Sequence, residues 1–174
     1  MRRTHATGRG LTMPAKRQDF NAGRLRLRAV STEDVEVLST LLQDAIIPGE
    51  DMTFDRRARR FVMVANRFCW DRPAVAGVTT DSGAPVYERQ LCGVQIHGIE
   101  QVRTAGMPAS RRGALFNLLA ITAGTTEDGA NVEMLFSGGV SVRLDVDSLL
   151  ILAEDLDEGR PTPHLPSHSD DQTP

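Results

Sequence analysis

The 174-residue chain has no apolar run approaching the roughly 20 residues that a membrane-spanning helix needs. Its basic N-terminus is not followed by an apolar segment, so it lacks a secretory signal as well. Together these absences point to a cytoplasmic protein with no membrane partner. Cysteine is scarce. Cys69 and Cys92 lie in the strand-like runs FCW and LCG, where a reduced thiol behaves as a small buried hydrophobe. With no histidine beside either, a structural zinc site is not expected. His164 and His168 have a spacing that suits a metal on a helix, but Pro163 and Pro166 forbid that helix. The chain also lacks a Walker-type loop, a GxGxxG between strand and helix, an HExxH and a GxSxG elbow, so no cofactor is called for. Carboxylates gather at Asp145, Asp147, Glu154 and Asp155, a density ordinary for a charged face. There is no internal repeat.

What is present fits one soluble domain with loose ends: 40% of residues are hydrophobic and 25% charged. Residues 1–23 form a basic leader without apolar periodicity, expected to be disordered, and residues 158–174 a tail rich in Pro, Ser, Asp and His. Between them, residues 24–157 make the domain. Charge is uneven. Met1–Arg28 carries eight basic side chains against Asp19 alone, about +7, which leaves about −10 for the remainder of a chain of net charge −3. Without interleaved aromatics or the basic motif of a known reader, nucleic acid is not the expected partner.

The clearest local pattern is Asn131–Val146, NVEMLFSGGVSVRLDV. Val132, Met134 and Phe136 alternate, the chain reverses, and alternation resumes at Val140, Val142, Leu144 and Val146. A two-residue loop at Gly138–Gly139 would place the two apolar sets on opposite faces. A three-residue loop, Ser137–Gly139, pairs Phe136 with Val140, Met134 with Val142 and Val132 with Leu144, and sets Glu133 opposite Arg143 on the wet face. The resulting apolar sheet face needs a covering layer.

Upstream, Leu25, Leu27 and Ala29 alternate with arginines as a half-buried strand, and Ser31 with Asp34 makes a helix start. Val35, Leu38, Leu42 and Ala45 give that helix one apolar stripe, and Pro48–Gly49 stops it. Gln43 and Asp44 near its end are either its wet face or a polar contact point. Met52–Trp70 reads as a second hairpin. Its strand Phe61–Ala65 is apolar at every position and therefore central, and it leaves the core at Asn66 and Arg67 before re-entering at Phe68. Arg56, Arg57, Arg59 and Arg60 crowd the turn. Their planar forks suit phosphate or carboxylate, although a turn that merely stays wet carries the same composition. If they are surface residues, changing Arg59 and Arg60 to alanine leaves stability within about 0.5 kcal/mol.

Asp71–Gln90, punctuated by Pro73, Gly77, Ser82, Gly83 and Pro85, reads as a flexible insertion. Leu91–Arg103 resumes strand character with a break at Gly98, and His97 falls on its polar side. Pro108–Asn117 is expected as a short helix and Leu118–Ala123 as a strand. The run LLIL after Ser148 fits either a helix capped by Asp147 or a buried strand. The element order implies an α+β domain, a mainly antiparallel curved sheet or partial barrel with one or two packed helices. A pleckstrin-homology-like barrel is one candidate, by element order alone.

The blocks LRLRAVSTEDVEVLSTLLQDAIIP, RRARRFVMVANRFCWD, GVQIHGIEQVRTAGM and VEMLFSGGVSVRLDVDSLLILAEDL also resemble, in order, those of an alphaproteobacterial family known as domain of unknown function 2948. The resemblance spans about Leu25 to Asp157 and leaves out the leader, the stretch around Gly77 and the tail. The family has no established activity, so the resemblance transfers no catalytic residue. Genes resembling this one often lie beside those for a cell-wall enolpyruvyl transferase and histidinol dehydrogenase, which implies housekeeping company at most.

Two functional readings follow. The first is a small non-catalytic binding or adaptor protein that presents Arg56, Arg57, Arg59, Arg60, Asn66, Arg67 and Trp70 to a partner protein or a small anionic ligand. The second is a small enzyme of unrecognised class acting on an anionic metabolite, with His97 or a carboxylate as general base; it requires a concave pocket enclosing a titratable group.

Overall fold

A computed structural model describes residues 24–166; the basic leader, residues 1–23, and residues 167–174 with His168 lie outside the described residues. The described chain begins with β1 (Arg26–Ala29). Ser31 then starts α1 (Thr32–Leu42) by a capping box: its hydroxyl accepts from Asp34 N at 3.2 Å, and the Asp34 carboxylate accepts from Ser31 N at 3.1 Å. Val35, Leu38 and Leu42 are buried as the stripe requires, but the helix ends at Leu42, short of Pro48–Gly49. Asp44 takes a left-handed φ of 61°, and its N–H donates to Leu118 O at 2.9 Å. The backbone there leaves helical pairing for a strand distant in sequence, which makes β2 (Ile46–Pro48).

The chain continues through β3 (Met52–Asp55), β4 (Arg60–Phe68), β5 (Tyr87–His97), β6 (Ile99–Ala105), β7 (Leu115–Thr126), β8 (Gly129–Phe136), β9 (Val140–Val146), β10 (Ile151–Asp155) and β11 (Arg160–Thr162). These strands form one sheet in the order β1, β10, β5, β4, β2, β7, β8, β9, β6, with β3 beside β4 and β11 beside β5. Every pairing is antiparallel. The result is the expected α+β class. The curved sheet stays open instead of closing into a barrel, with α1 packed mainly on β7 and also touching β1 and β4. Ser39 Oγ fixes that packing by accepting from Ile121 N at 2.9 Å.

The β8–β9 hairpin has the expected register, Phe136 with Val140, Met134 with Val142, Val132 with Leu144 and Glu133 with Arg143. Gly138 and Gly139 both have φ 75°, the left-handed conformation that a three-residue loop demands. β3 and β4 form the second hairpin, and β4 lies inside the sheet with Phe61, Met63 and Ala65 buried.

One open choice is decided and three expectations are corrected. The run after Ser148 is a strand, β10, because Ile151, Ala153 and Asp155 alternate into the core between β1 and β5. Residues 108–114 form no helix. They carry no apolar stripe, and they instead hold the turn between β2 and β3, Gly49 N donating to Ala114 O at 2.8 Å while the Arg111 side chain reaches Met52 O through Nη1. The flexible insertion is shorter than expected, since Tyr87–Gln90 belong to β5 and Val86 is buried. The tail contributes β11, whose Pro161 lacks an N–H and is accommodated because it pairs at a sheet edge with Glu88.

Candidate functional site

β4 separates the expected site residues into two groups. At ~3.3 Å per residue, Arg60 and Asn66 lie roughly 20 Å apart, so no one ligand group touches both.

At the first end, Asp55 Oδ1 accepts from the N–H of Arg57 and of Ala58, which folds the turn. Arg59 then takes a φ of 48° and aims its guanidinium at the corner where β5 passes into β6. Its Nε donates to Ile99 O and its Nη2 to Gly98 O and Asp147 Oδ2, with Glu100 3.7 Å away. Gly98 has φ 71°, and a side chain there would run into the Asp147 carboxylate. Arg59 is thus a clasp on that corner. Arg60 Nη1 donates to Gln95 Oε1 at 3.2 Å. Arg56 and Arg57 are exposed, with no side-chain partner among the described residues. We therefore expect Arg56→Ala and Arg57→Ala to leave unfolding free energy within about 0.5 kcal/mol, and Arg59→Ala to cost about 1 kcal/mol, in urea titrations. Arg59 is exposed like Arg56 and Arg57, and its three bonds set it apart from them.

At the second end, the strand does not leave the core at Arg67. Its side chain is 0% exposed and forms a fork with Asp155, Nε to Oδ1 and Nη2 to Oδ2 both at 2.8 Å, while Nη1 donates to Asp71 at 2.7 Å. Burial works to lower the Arg67 pKa, but the bonds to Asp155 and Asp71 outweigh it and hold the group above the ordinary arginine value. Asp155 also accepts from Leu25 N at 2.7 Å and lies 3.5 Å from Arg72 Nη2. This network ties β1, β4 and β10 together with the Arg67 side chain wholly buried inside it. Cys69 and Cys92 lie close by as expected, both buried; burial raises the first thiol's pKa and pushes the second up to about 12, so both stay protonated.

Asn66 and Trp70 remain. Trp70 is 44% exposed, packs its ring tilted by 49° against Phe68 with centroids 4.4 Å apart, and donates Nε1–H to Gln43 O. Asn66 O accepts from Arg89 Nη1 at 3.0 Å, and the same nitrogen donates to Asp44 O at 3.2 Å. The Arg89 guanidinium rests 5.6 Å from the centre of the Phe68 ring, within cation–π reach. Burial lowers its pKa, with the negative charge of Asp44 opposing, yet an arginine remains cationic at neutral pH.

Arg89 stands at the junction of two cavities. One, of 210 Å³, is lined by Asn66, Leu91 and Asp157 and by Arg160–Thr162 of β11. The other, of 330 Å³, is lined by Asp44, Ile46, Leu115, Phe116, Asn117, Ser137 and Pro166. Asp157 is committed to Leu91 N at 3.0 Å and to Arg160 at 3.3 Å. The walls come from β2, β4, β5, β7 and β11, so the site exists only once these five strands have come together. His97 lines neither cavity. It is half-buried beside Arg60, with Nε2 buried and unpartnered among the described residues.

The model of a family described as a protein of unknown function, DUF2948, matches residues 25–168. The chain belongs to the DUF2948 family. The DUF2948 match extends through β11 and the second wall of the Arg89 site, beyond the Asp157 limit of the resemblance read from the sequence blocks. No curated protein and no solved structure matches this DUF2948 chain. Among its described residues, no cluster of three or more metal-ligating side chains forms, and no helix is long and apolar enough to cross a membrane.

Arg89, Asn117, Ser137 and Arg160 were not candidates from sequence. The available signal was the alternation of Gln90, Cys92, Val94 and Ile96, which extends β5 back to Arg89 and places that arginine on the opposite face from the core.

Proposed function

We propose that the protein is a non-catalytic cytoplasmic binding module that recognises a small anionic ligand at the Arg89 end of β4. The observation that carries this reading is a half-buried guanidinium held by two backbone carbonyls, without a salt bridge among the described residues, at the junction of two cavities. The two carbonyls take only Nη1, so the Nε–Nη2 edge is left to an anionic ligand, whose charge adds to that of Asp44 nearby. Asn66 helps to hold the guanidinium in place. A reaction would further require a free general base at the ligand, and Asp157 is already engaged in holding β5 and Arg160.

Native mass spectrometry of the intact protein, purified at low salt from its own cell, tests this. A small acid bound one-to-one and absent from an Arg89→Met variant is the expected result. A bare wild-type protein whose melting is unmoved by added organic acids contradicts it. A second reading, an adaptor for an acidic protein segment, draws on the exposed side chains of Arg56 and Arg57, held on a turn that Asp55 and Arg59 fix. Affinity capture with an Arg56→Ala/Arg57→Ala variant separates the two, because only the adaptor loses its partner.

A further inference from the structure

Arg67 and Arg89 are both drawn into the sheet, but among the described residues all three guanidinium nitrogens of Arg67 are bonded and only one of Arg89. Arg67 turns its Nε–Nη2 edge to the two oxygens of Asp155, the geometry in which a planar fork meets a carboxylate. Arg89 spends only Nη1, on Asp44 O and Asn66 O, and among the described residues its Nε and Nη2 have no hydrogen-bond partner. Nε of Arg60 and of Arg72 is buried without a partner, whereas that of Arg89 is not closed off in this way. The carboxylate-binding edge of Arg89 is therefore held in place and unfilled, beside space enough for a ligand.

We infer that this edge takes a ligand carboxylate, and that the ligand is a monocarboxylic acid whose apolar body lies in the 330 Å³ cavity. The inference rests on the binding role proposed above. Geometry sets the class. The Nε–Nη2 edge that Arg67 gives to the two oxygens of Asp155 is the edge that Arg89 keeps free among the described residues, and it matches a planar carboxylate. The second cavity sets the body. Ile46, Phe116 and Pro166 form its apolar wall, and Leu115 stands 70% exposed at its edge. Asn117 and Ser137 add neutral hydrogen-bonding groups and no charge.

Calorimetric titration of the full chain with 3-phenylpropionate, 3-phenylpropionamide, phenyl phosphate and inorganic phosphate decides the matter, with Arg89→Lys and Leu115→Glu as variants. The acid is expected to bind and the amide and both phosphates to bind far more weakly. Lysine keeps the charge but has no fork, so Arg89→Lys should weaken the acid roughly 10- to 100-fold. Leu115→Glu, at an exposed position that leaves folding intact, should weaken it by like-charge repulsion and keeps the test meaningful if the lysine variant unfolds. Phenyl phosphate binding as tightly as the acid would overturn the carboxylate class while leaving an anion-binding site standing. Equal affinity of wild type and Arg89→Lys would overturn the fork as the selecting element. Heat from none of the anions would overturn both the inference and the binding role.

Discussion

Replacing Asp155 by alanine is expected to lower the unfolding free energy by roughly 3–5 kcal/mol, one of the two largest single-residue effects foreseen for this chain. The carboxylate holds Arg67, a side chain with no solvent exposure, through two bonds of 2.8 Å, and it accepts from Leu25 N. Without it a guanidinium is left in the core with only the bond to Asp71, and β1 loses an anchor to β10. The cost arises from the stranded charge more than from any large net worth of the pair. An Arg67→Met/Asp155→Leu double variant, which removes both charges and fills similar volume, should therefore recover much of the loss. Urea unfolding of the three proteins checks this; a double variant as unstable as Asp155→Ala would show that the network does something packing cannot replace.

Phe68→Ala should cost a comparable amount, about 3–5 kcal/mol, because the side chain is 1% exposed and supports its neighbours on several sides. Its ring packs tilted against those of Trp70 at 4.4 Å and Tyr87 at 5.6 Å, and carries Arg89 above it. Phe68→Leu separates the two roles. It preserves most of the volume, so stability should fall by less than about 1.5 kcal/mol. The loss of the aromatic face under Arg89 should weaken 3-phenylpropionate roughly 2- to 5-fold. An unchanged affinity in the leucine variant would mean that the ring does not position the guanidinium.

The β8–β9 hairpin and the start of α1 were legible in the sequence because each depends on neighbours within a few positions. Glu133 and Arg143 find one another through a three-residue loop, and Ser31 meets Asp34 one turn away. The position of Arg67 was legible in part. Phe61, Met63, Ala65 and Arg67 share one face by the two-residue period of a strand, so spacing pointed inward while the charge of the side chain pointed outward. What decides the conflict is Asp155, which is 88 positions away and visible only after β5 has been placed between β4 and β10. A buried arginine is intelligible once its partner is known, and sequence proximity offers no such partner.

The Arg89 site was hidden for a related reason. Pro73, Gly83 and Pro85 break the pattern up to the edge of β5, which hides where that strand begins. β11 contains a proline and spans only Arg160–Thr162, too short for any periodicity to show, yet it walls one cavity. Asn66 entered the candidate set as part of a surface expected to include Arg67 and Trp70. The structure keeps it for a different reason, as a backbone acceptor for an arginine 23 positions away. The four arginines of the β3–β4 turn were found together, but their roles divide: Arg59 holds a corner, Arg60 bonds Gln95, and Arg56 and Arg57 face solvent.

The most direct test of ligand binding at Arg89 is nitrogen-15 NMR of the arginine Nε–H groups during titration of the intact protein with 3-phenylpropionate, with assignments made by Arg89→Lys and by Arg56→Ala/Arg57→Ala. The expected result is a saturating shift of the Arg89 Nε–H signal, now bonded to the ligand, while the Arg56 and Arg57 signals stay where they are. A shift confined to Arg56 and Arg57, or an Arg89 signal that never moves at any acid concentration, would contradict it.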